Sequence, residues 1–310
     1  MKAVRMHSRG GPEALVYEDA PVPTIAEGEA LVRVRAAGIT PTEFTWSSTF
    51  TTPDRRSRLP IIPSFDVAGV VEKAAPDASG PSPGEAVYGL LDFWKDGAAA
   101  EYVAAKASDL APKPDSLNFV QAAAVPLSGL TAWQSLFDQG KVDQGDRVLI
   151  HGAGGGVGTF AVQLAKWKGA RITATCSKSN APLARELGAA EVIDYERMSF
   201  EEAGDFDMVL DTVGGDTLER SWGVLRKGGI LVTIAGDAPD EKMSAYDVHG
   251  ISLLVQANRA ELVEMARLID QGELRPVVSG VYDLPDARRA YERGLAGHSR
   301  GKLVLRVNHP

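Results

Sequence analysis

The chain has a single cysteine, Cys176, in 310 residues. An intrachain disulfide framework is therefore excluded, and so is a cysteine-rich structural zinc site. Histidine is almost as scarce: His7, His151, His249, His298 and His309 show no ligand-like pairing. Positive charge is in deficit, with 33 Lys and Arg against 41 Asp and Glu for a net charge of -8. That balance argues against a general nucleic-acid or anionic-membrane binder, a local basic patch aside. Long apolar runs are missing too, none approaching the roughly 18 residues that a membrane-spanning helix needs. The opening MKAVRMHSRGG has no apolar signal core, so a soluble cytoplasmic protein is expected. Repeats, coiled coil and low-complexity tracts do not stand out.

What is present is enough apolar material, 44% of the chain, to fill two ordinary cores. The texture changes along the chain. From Met1 to about Asp115 short alternating runs such as Leu31-Val32-Arg33-Val34-Arg35 and Ala100-Glu101-Tyr102-Val103 are broken by proline and glycine. That pattern predicts an antiparallel, barrel-like β domain. From Phe119 to about Asn258 the pattern is α/β, with strands expected at 147–151, 171–176, 191–194, 206–211, 229–235 and 251–256. Six such strands fit one doubly wound sheet. Arg259 to Gln271 reads as an amphipathic helix, and Gly301 to Leu305 as a strand that rejoins the first domain.

The most informative segment runs from Val148 to Lys178, VLIHGAGGGVGTFAVQLAKWKGARITATCSK. Val148-Leu149-Ile150 predicts a strand covered on both faces. Gly152, Gly155, Gly156 and Gly158 then remove side chains that would keep a pyrophosphate off the N–H groups opening the next helix. The turn reads Ala153-x-Gly155-x-x-Gly158, not the strict three-glycine fingerprint, and its strand–turn–helix context is what makes it a dinucleotide site. The second strand decides the cofactor. An NAD site of this type needs a carboxylate about 20 residues past the glycines, and none is there. Ser177 and Lys178 offer a hydroxyl and a cation to a 2′-phosphate, with Arg185 as a further partner, so NADPH is favoured. Ser and Lys are also ordinary turn residues.

A competing motif, Tyr102-Val-Ala-Ala-Lys106, matches the Y-x-x-x-K pair of short-chain dehydrogenases. Here it precedes the glycine turn and continues an alternating strand, so both residues read as structural.

The order of MKAVRMHSRGGPEALVYEDAPVP, AGITPTEF, IIPSFDVAGVVE, GEAVYGLL, AAAVPLSGLTAW, GAGGGVG, LARELGAAEVIDY, DMVLDTVGG and RGKLVL resembles the medium-chain dehydrogenase/reductases. Within that superfamily it is similar to the zinc-free quinone oxidoreductase and enone reductase branch. The resemblance covers nearly the whole chain. It implies an α/β protein in which a GroES-like antiparallel β-barrel catalytic domain (1–118 and 262–310) is interrupted by a doubly wound Rossmann NADPH domain (119–261) with a six-stranded parallel sheet. The active cleft would lie between them.

The same resemblance proposes site residues and shows where this chain departs. The zinc enzymes of the superfamily place Cys and His-Glu where this chain has Thr40 and Phe65-Asp66, and catalytic zinc needs about three protein donors, so no metal is expected. Zinc-free relatives often carry Asn-Pro-x-Asp-x-Lys where Thr40-Pro41-Thr42-Glu43-Phe44-Thr45 stands, so the lysine is lost at Thr45. Thr40 is the expected catalytic hydroxyl. Phe44, Trp46, Phe65, Tyr88, Phe93 and Trp94 are expected to line the substrate pocket, although each could equally be core packing. Cofactor contacts are expected from Thr131, Ala153, Gly155, Gly156, Val157, Ser177, Lys178, Tyr195, Val213, Gly214, Ala235, Gly236 and Lys302. Asp194 and Asp211 read better as strand-end hydrogen-bonding groups.

Without zinc to polarise an alcohol, an already electrophilic substrate is expected. The implied reaction is hydride transfer from NADPH to a quinone, or to the β-carbon of an α,β-unsaturated ketone or aldehyde. Two alternatives stay open: a non-enzymatic NADPH-binding redox sensor, and an enoyl-thioester reductase using Arg55, Arg56 and Arg58 as a cationic surface. The expected partners are a small enone or quinone and a second copy of the chain, with no nucleic acid or membrane.

Overall fold

The computed structural model describes residues 1–297 and 300–309; His298 lies outside them. The first architecture is an antiparallel sheet built around the long strand Glu29–Ile39. Ala30, Val32 and Val34 alternate inward along it and are fully buried, as a half-buried strand requires. It pairs with Asp66–Ala74 and Tyr102–Lys106, and Asp66–Ala74 leads on through Ala86–Leu90 to Leu110–Pro112. Tyr102 and Lys106 therefore sit on a strand, paired opposite Arg33 and Glu29.

The second architecture is a parallel sheet of six strands: Arg147–His151, Arg171–Cys176, Glu191–Asp194, Phe206–Asp211, Leu225–Thr233 and His249–Ser252. Counted along the chain, they lie in the order 3-2-1-4-5-6, the doubly wound arrangement. Both faces are covered. Val148, Ile150, Leu210 and Val232 pack towards Phe160, Ala161 and Leu164 of the helix Gly156–Lys168, while Leu149, Val209 and Leu231 pack against Leu218 and Trp222 on the other side. The near-continuous apolar strands follow from this double burial.

Two strand expectations need correction. The fifth begins at Leu225 and ends at Thr233, so Ala235 and Gly236 lie beyond it. The sixth is His249–Ser252, because its register against the fifth runs only from Ile230↔His249 to Thr233↔Ser252. The apolar run Leu253-Leu254-Val255 that follows turns away to line a cleft.

The chain then returns to the first sheet. Asn258 caps the helix Arg259–Asp270 by accepting from the N–H groups of Ala260 and Glu261. That helix is already tied to the antiparallel sheet at its first residue, where Arg259 Nε donates to Leu110 O at 2.9 Å. The expected domain boundary at 261/262 falls inside it. The strand Lys302–Arg306 pairs antiparallel with Glu29–Ile39, Leu303 opposite Ile39, and just before it Gly301 is bridged to Gly155 of the glycine turn. Among the described residues no helix is long and apolar enough to cross a membrane.

Candidate active site

A cleft of about 1170 Å³ runs from the carboxyl ends of the parallel strands to the antiparallel sheet, where open α/β sheets place their ligands. The glycine turn forms its floor. Gly152 adopts φ +70°, and a side chain on Gly158 would stand 2.2 Å from the Gly152 carbonyl, so both glycines are required by the turn itself. Gly155 differs. A Cβ there would meet nothing nearer than the Gly152 carbonyl at 3.3 Å, because its hydrogen faces the cleft. Gly156 and Val157 open the 13-residue helix Gly156–Lys168 on that face, and Ala153 is buried beneath. A cradle that a ligand, not the protein, fills suits a pyrophosphate.

Beyond the turn, Ser177, Tyr195 and Val213, three of the residues proposed as cofactor contacts, line the cleft. Lys178 is exposed and does not line it in this structure, and Arg185 is likewise exposed. Gly214, Ala235 and Gly236 also fall outside the wall. Gly214 packs so closely on Ala235 that a Cβ would lie 2.3 Å from the Ala235 carbonyl. Asp211 holds these turns by accepting from Val213 N, Gly214 N and Thr233 Oγ1, a structural role. Among the wall residues not foreseen are His151, Phe200 and Arg220. His151 is fully buried between Thr175 Oγ1 and Ser221 Oγ, at 2.9 and 3.0 Å, and burial pushes its pKa down to about 4, so it is neutral. Arg220 lies over the Phe200 ring at 4.8 Å and is held by Glu201 and Asp216.

At the other end the wall is Thr40, Trp46, Phe93 and Trp94, with Thr131 donating its hydroxyl back to Leu127 O at 2.6 Å. Three expected pocket residues are displaced. Tyr88 is fully buried and donates to Leu262 O at 2.5 Å. Phe44 packs on the Tyr291 ring at 4.6 Å. Phe65 stands behind the wall, stacked on Trp46 at 6.2 Å and edge-on to Phe93 at 5.1 Å. Residue type alone could not separate wall from core. Arg58 is spent as well, its guanidinium donating to the Thr49 and Phe93 carbonyls at 3.3 and 2.9 Å and to the Ser48 carbonyl, and Arg56 pairs with Asp54 at 2.7 Å.

The centre of this end is a buried ion pair. Lys302 Nζ lies 2.9 Å from Asp66 Oδ2 and 3.2 Å from Thr40 Oγ1, while Leu127 N donates to Asp66 Oδ1 at 2.5 Å. Burial raises the Asp66 pKa and the Lys302 charge pulls it back. Deeper still, Glu43 is fully buried and accepts from Tyr291 OH at 2.5 Å and Ser64 N at 2.9 Å. No local pattern announces this carboxyl's depth, since its tyrosine partner lies 248 residues away.

The fold and cleft define a dinucleotide-dependent oxidoreductase. Residues 26–115 match the alcohol dehydrogenase GroES-like domain, and residues 187–305 match the domain described as zinc-binding dehydrogenase. The 2-methylene-furan-3-one reductase of Solanum lycopersicum is 33% identical, with all of this chain and 79% of its own covered. The quinone oxidoreductase of Coxiella burnetii superposes with TM-score 0.92 at 33% identity over 99% of both chains. A mycobacterial protein solved in complex with NADPH follows at TM-score 0.88 and 27% identity, covering 99% of this chain and 100% of its own. The chain belongs to the medium-chain dehydrogenase/reductases, in the quinone oxidoreductase and enone reductase branch, and is an NAD(P)H-dependent oxidoreductase. The second domain's description mentions zinc, but among the described residues no three His, Cys, Asp or Glu side chains are grouped to hold a metal. Thr40 and an Asp66 already bound to Lys302 do not suit a catalytic zinc.

Two tests follow from this geometry. Gly155→Val should fold normally yet weaken NADPH binding at least about tenfold in calorimetric titration, because its branches occupy the pyrophosphate's space; undiminished affinity would make the turn purely structural. Glu43 has its pKa raised to about 7 by burial, from 4.5. The folded carboxyl keeps a proton that the unfolded one loses across that window, so its contribution to stability falls as pH rises through it. Denaturant titrations of Glu43→Gln should show a flatter decline between about pH 5 and about pH 8 than the native chain; an identical slope would count against a buried, proton-bearing Glu43.

Proposed function

We propose that this protein uses NADPH to reduce quinones or the conjugated C=C bond of α,β-unsaturated ketones and aldehydes, without a catalytic metal. The observation that carries the reading is the pairing of a ligand-shaped glycine cradle with a substrate end that has an aromatic wall and an ammonium–carboxylate pair in place of metal donors. Among the described residues the only charged side chains on the cleft wall are Arg220 and Lys302, and no carboxylate faces it. A small neutral substrate suits such a wall.

When bound, a reduced nicotinamide would supply the hydride, and negative charge would develop on the substrate's carbonyl oxygen. The chain's own part is to hold and orient. Gly155 would give the pyrophosphate room, and Val157 would bind it through its backbone N–H at the helix N-terminus. Ser177, Tyr195 and the neighbouring Lys178 would receive the 2′-phosphate by charge-assisted hydrogen bonds, Lys178 by swinging inward from its exposed position. Trp46, Phe93 and Trp94 would hold a planar substrate and keep water from its face. The enoyl-thioester alternative loses support because Arg58 is committed to backbone carbonyls and Arg56 to Asp54.

The test is consumption of NADPH and NADH against a panel of enones, quinones, enoyl thioesters and simple alcohols. Steady turnover of enones or quinones with NADPH preferred is expected; binding of NADPH with no turnover on any of them would favour a redox sensor and overturn the reading. In the same assay Lys178→Ala should raise the KM for NADPH about threefold to tenfold, a modest effect because an exposed cation is screened, and leave NADH unchanged. Equal losses for both cofactors would remove Lys178 from 2′-phosphate recognition.

A further inference from the structure

We propose that Asn180 reads the 2′ position of the cofactor's adenosine ribose, and that the charge carried at this one position decides between NADPH and NADH. The turn after the strand Arg171–Cys176 explains why Asn180 faces the site. Asn180 N donates to Ser177 O at 2.9 Å, which closes Ser177-Lys178-Ser179-Asn180 into a tight turn. Its corner residues Lys178 and Ser179 are exposed, whereas Ser177 and Asn180 are folded back against the strand end and buried. Lys178 is nearer to the strand in sequence, but the turn carries it outward. Asn180 takes the inward place.

Asn180 is only 7% exposed, and a buried amide ordinarily finds hydrogen-bond partners. This one has none. It precedes the helix Ala181–Leu187 and is of a residue type that caps helices, but its side chain makes no cap, and among the described residues its amide has no other partner. It lines the cleft instead. Gly154 fixes where it lies: a Cβ on that glycine would stand 2.4 Å from Asn180 Nδ2, so the amide rests against the flank of the glycine turn, beside the end of the second strand. A sheet of this type holds the adenosine ribose of a dinucleotide there. An amide kept buried and unpaired is an unfavourable arrangement that a bound ligand relieves. Nδ2 can donate to an oxygen of a 2′-phosphate, and Oδ1 can accept from a 2′-hydroxyl. Being neutral, the side chain neither repels the phosphate, as the carboxylate of an NAD site does, nor attracts it, as an ammonium would. Lys178 acts on the same phosphate from the exposed corner of the turn, where solvent screens it. A charge placed at Asn180 acts from within the wall, where screening is weaker, and should override it.

The proposal rests on the cofactor site proposed above, and it can be tested without any hydride transfer. Adenosine 2′,5′-bisphosphate and adenosine 5′-phosphate differ only in the 2′-phosphate, so calorimetric titration of the full chain with each isolates that group. Asn180→Asp should weaken the bisphosphate at least about tenfold, because two anions then face one another, and leave the monophosphate within about threefold. Asn180→Lys should strengthen the bisphosphate at least about threefold and leave the monophosphate within the same range. The Kd values of NADPH and NADH should follow the same two patterns. Should Asn180→Asp fail to fold with a carboxylate in the wall, Asn180→Leu serves: it is neutral and similar in volume, and it should weaken the bisphosphate about threefold to tenfold, with a smaller loss for the monophosphate. Equal losses for both nucleotides, or a bisphosphate affinity that neither the aspartate nor the lysine changes, would overturn the assignment and make Asn180 a packing residue. A native protein that binds both nucleotides equally, with Asn180→Asp still selective against the bisphosphate, would instead count against the NADPH preference proposed above and leave Asn180 at the 2′ position.

Discussion

Two charges buried in one another's company set the terms for the rest of the cleft. Lys302 and Asp66 come from positions 236 residues apart, and neither could be buried alone, since stranding one partner of such a pair costs about 3–5 kcal/mol. Their meeting requires the last strand to return to the first sheet, and that return carries Gly301 against the glycine turn. The last strand thereby ties the glycine turn to the Thr40 end of the cleft. Thr40 and Asp66, the positions that the resemblance sets against metal donors of the zinc enzymes, are both engaged by the ammonium.

The pair also explains the polarity of the site. Thr40, Asp66 and Leu127 belong to different elements of the first sheet and the helix that follows it, yet all three are tied through one carboxylate and one ammonium. A second buried carboxyl, Glu43, is held below the wall by Tyr291 and Ser64. The loop from Thr40 to Trp46 is therefore anchored from beneath and from the side.

Much of this was legible in the sequence where the signal was local. The first four strands of the parallel sheet follow from short apolar runs bounded by turn residues, and the glycine turn from its strand–helix context. Legibility failed where apolar character had two uses. Leu253-Leu254-Val255 continues an apolar run without continuing the strand, and it lines the cleft instead of pairing. Tyr88, Phe65 and Phe44 are aromatic like Trp46 and Phe93, but they pack behind the wall or far from it. The contacts Lys302–Asp66 and Glu43–Tyr291 carry no local pattern, because only the returning chain brings the partners together. His151 shows in the sequence only as a histidine without a ligand-like partner; its place on the cleft wall depends on the neighbouring strand and helix.

If the reaction runs without a catalytic metal, metal content measured against turnover in one preparation shows it most directly. Enone or quinone reduction is followed while zinc and other divalent metals are assayed in the same sample before and after exhaustive chelation. Full turnover is expected at metal levels far below one per chain, unchanged by chelation. Activity that falls with removal of a stoichiometric metal and returns with its addition would contradict it.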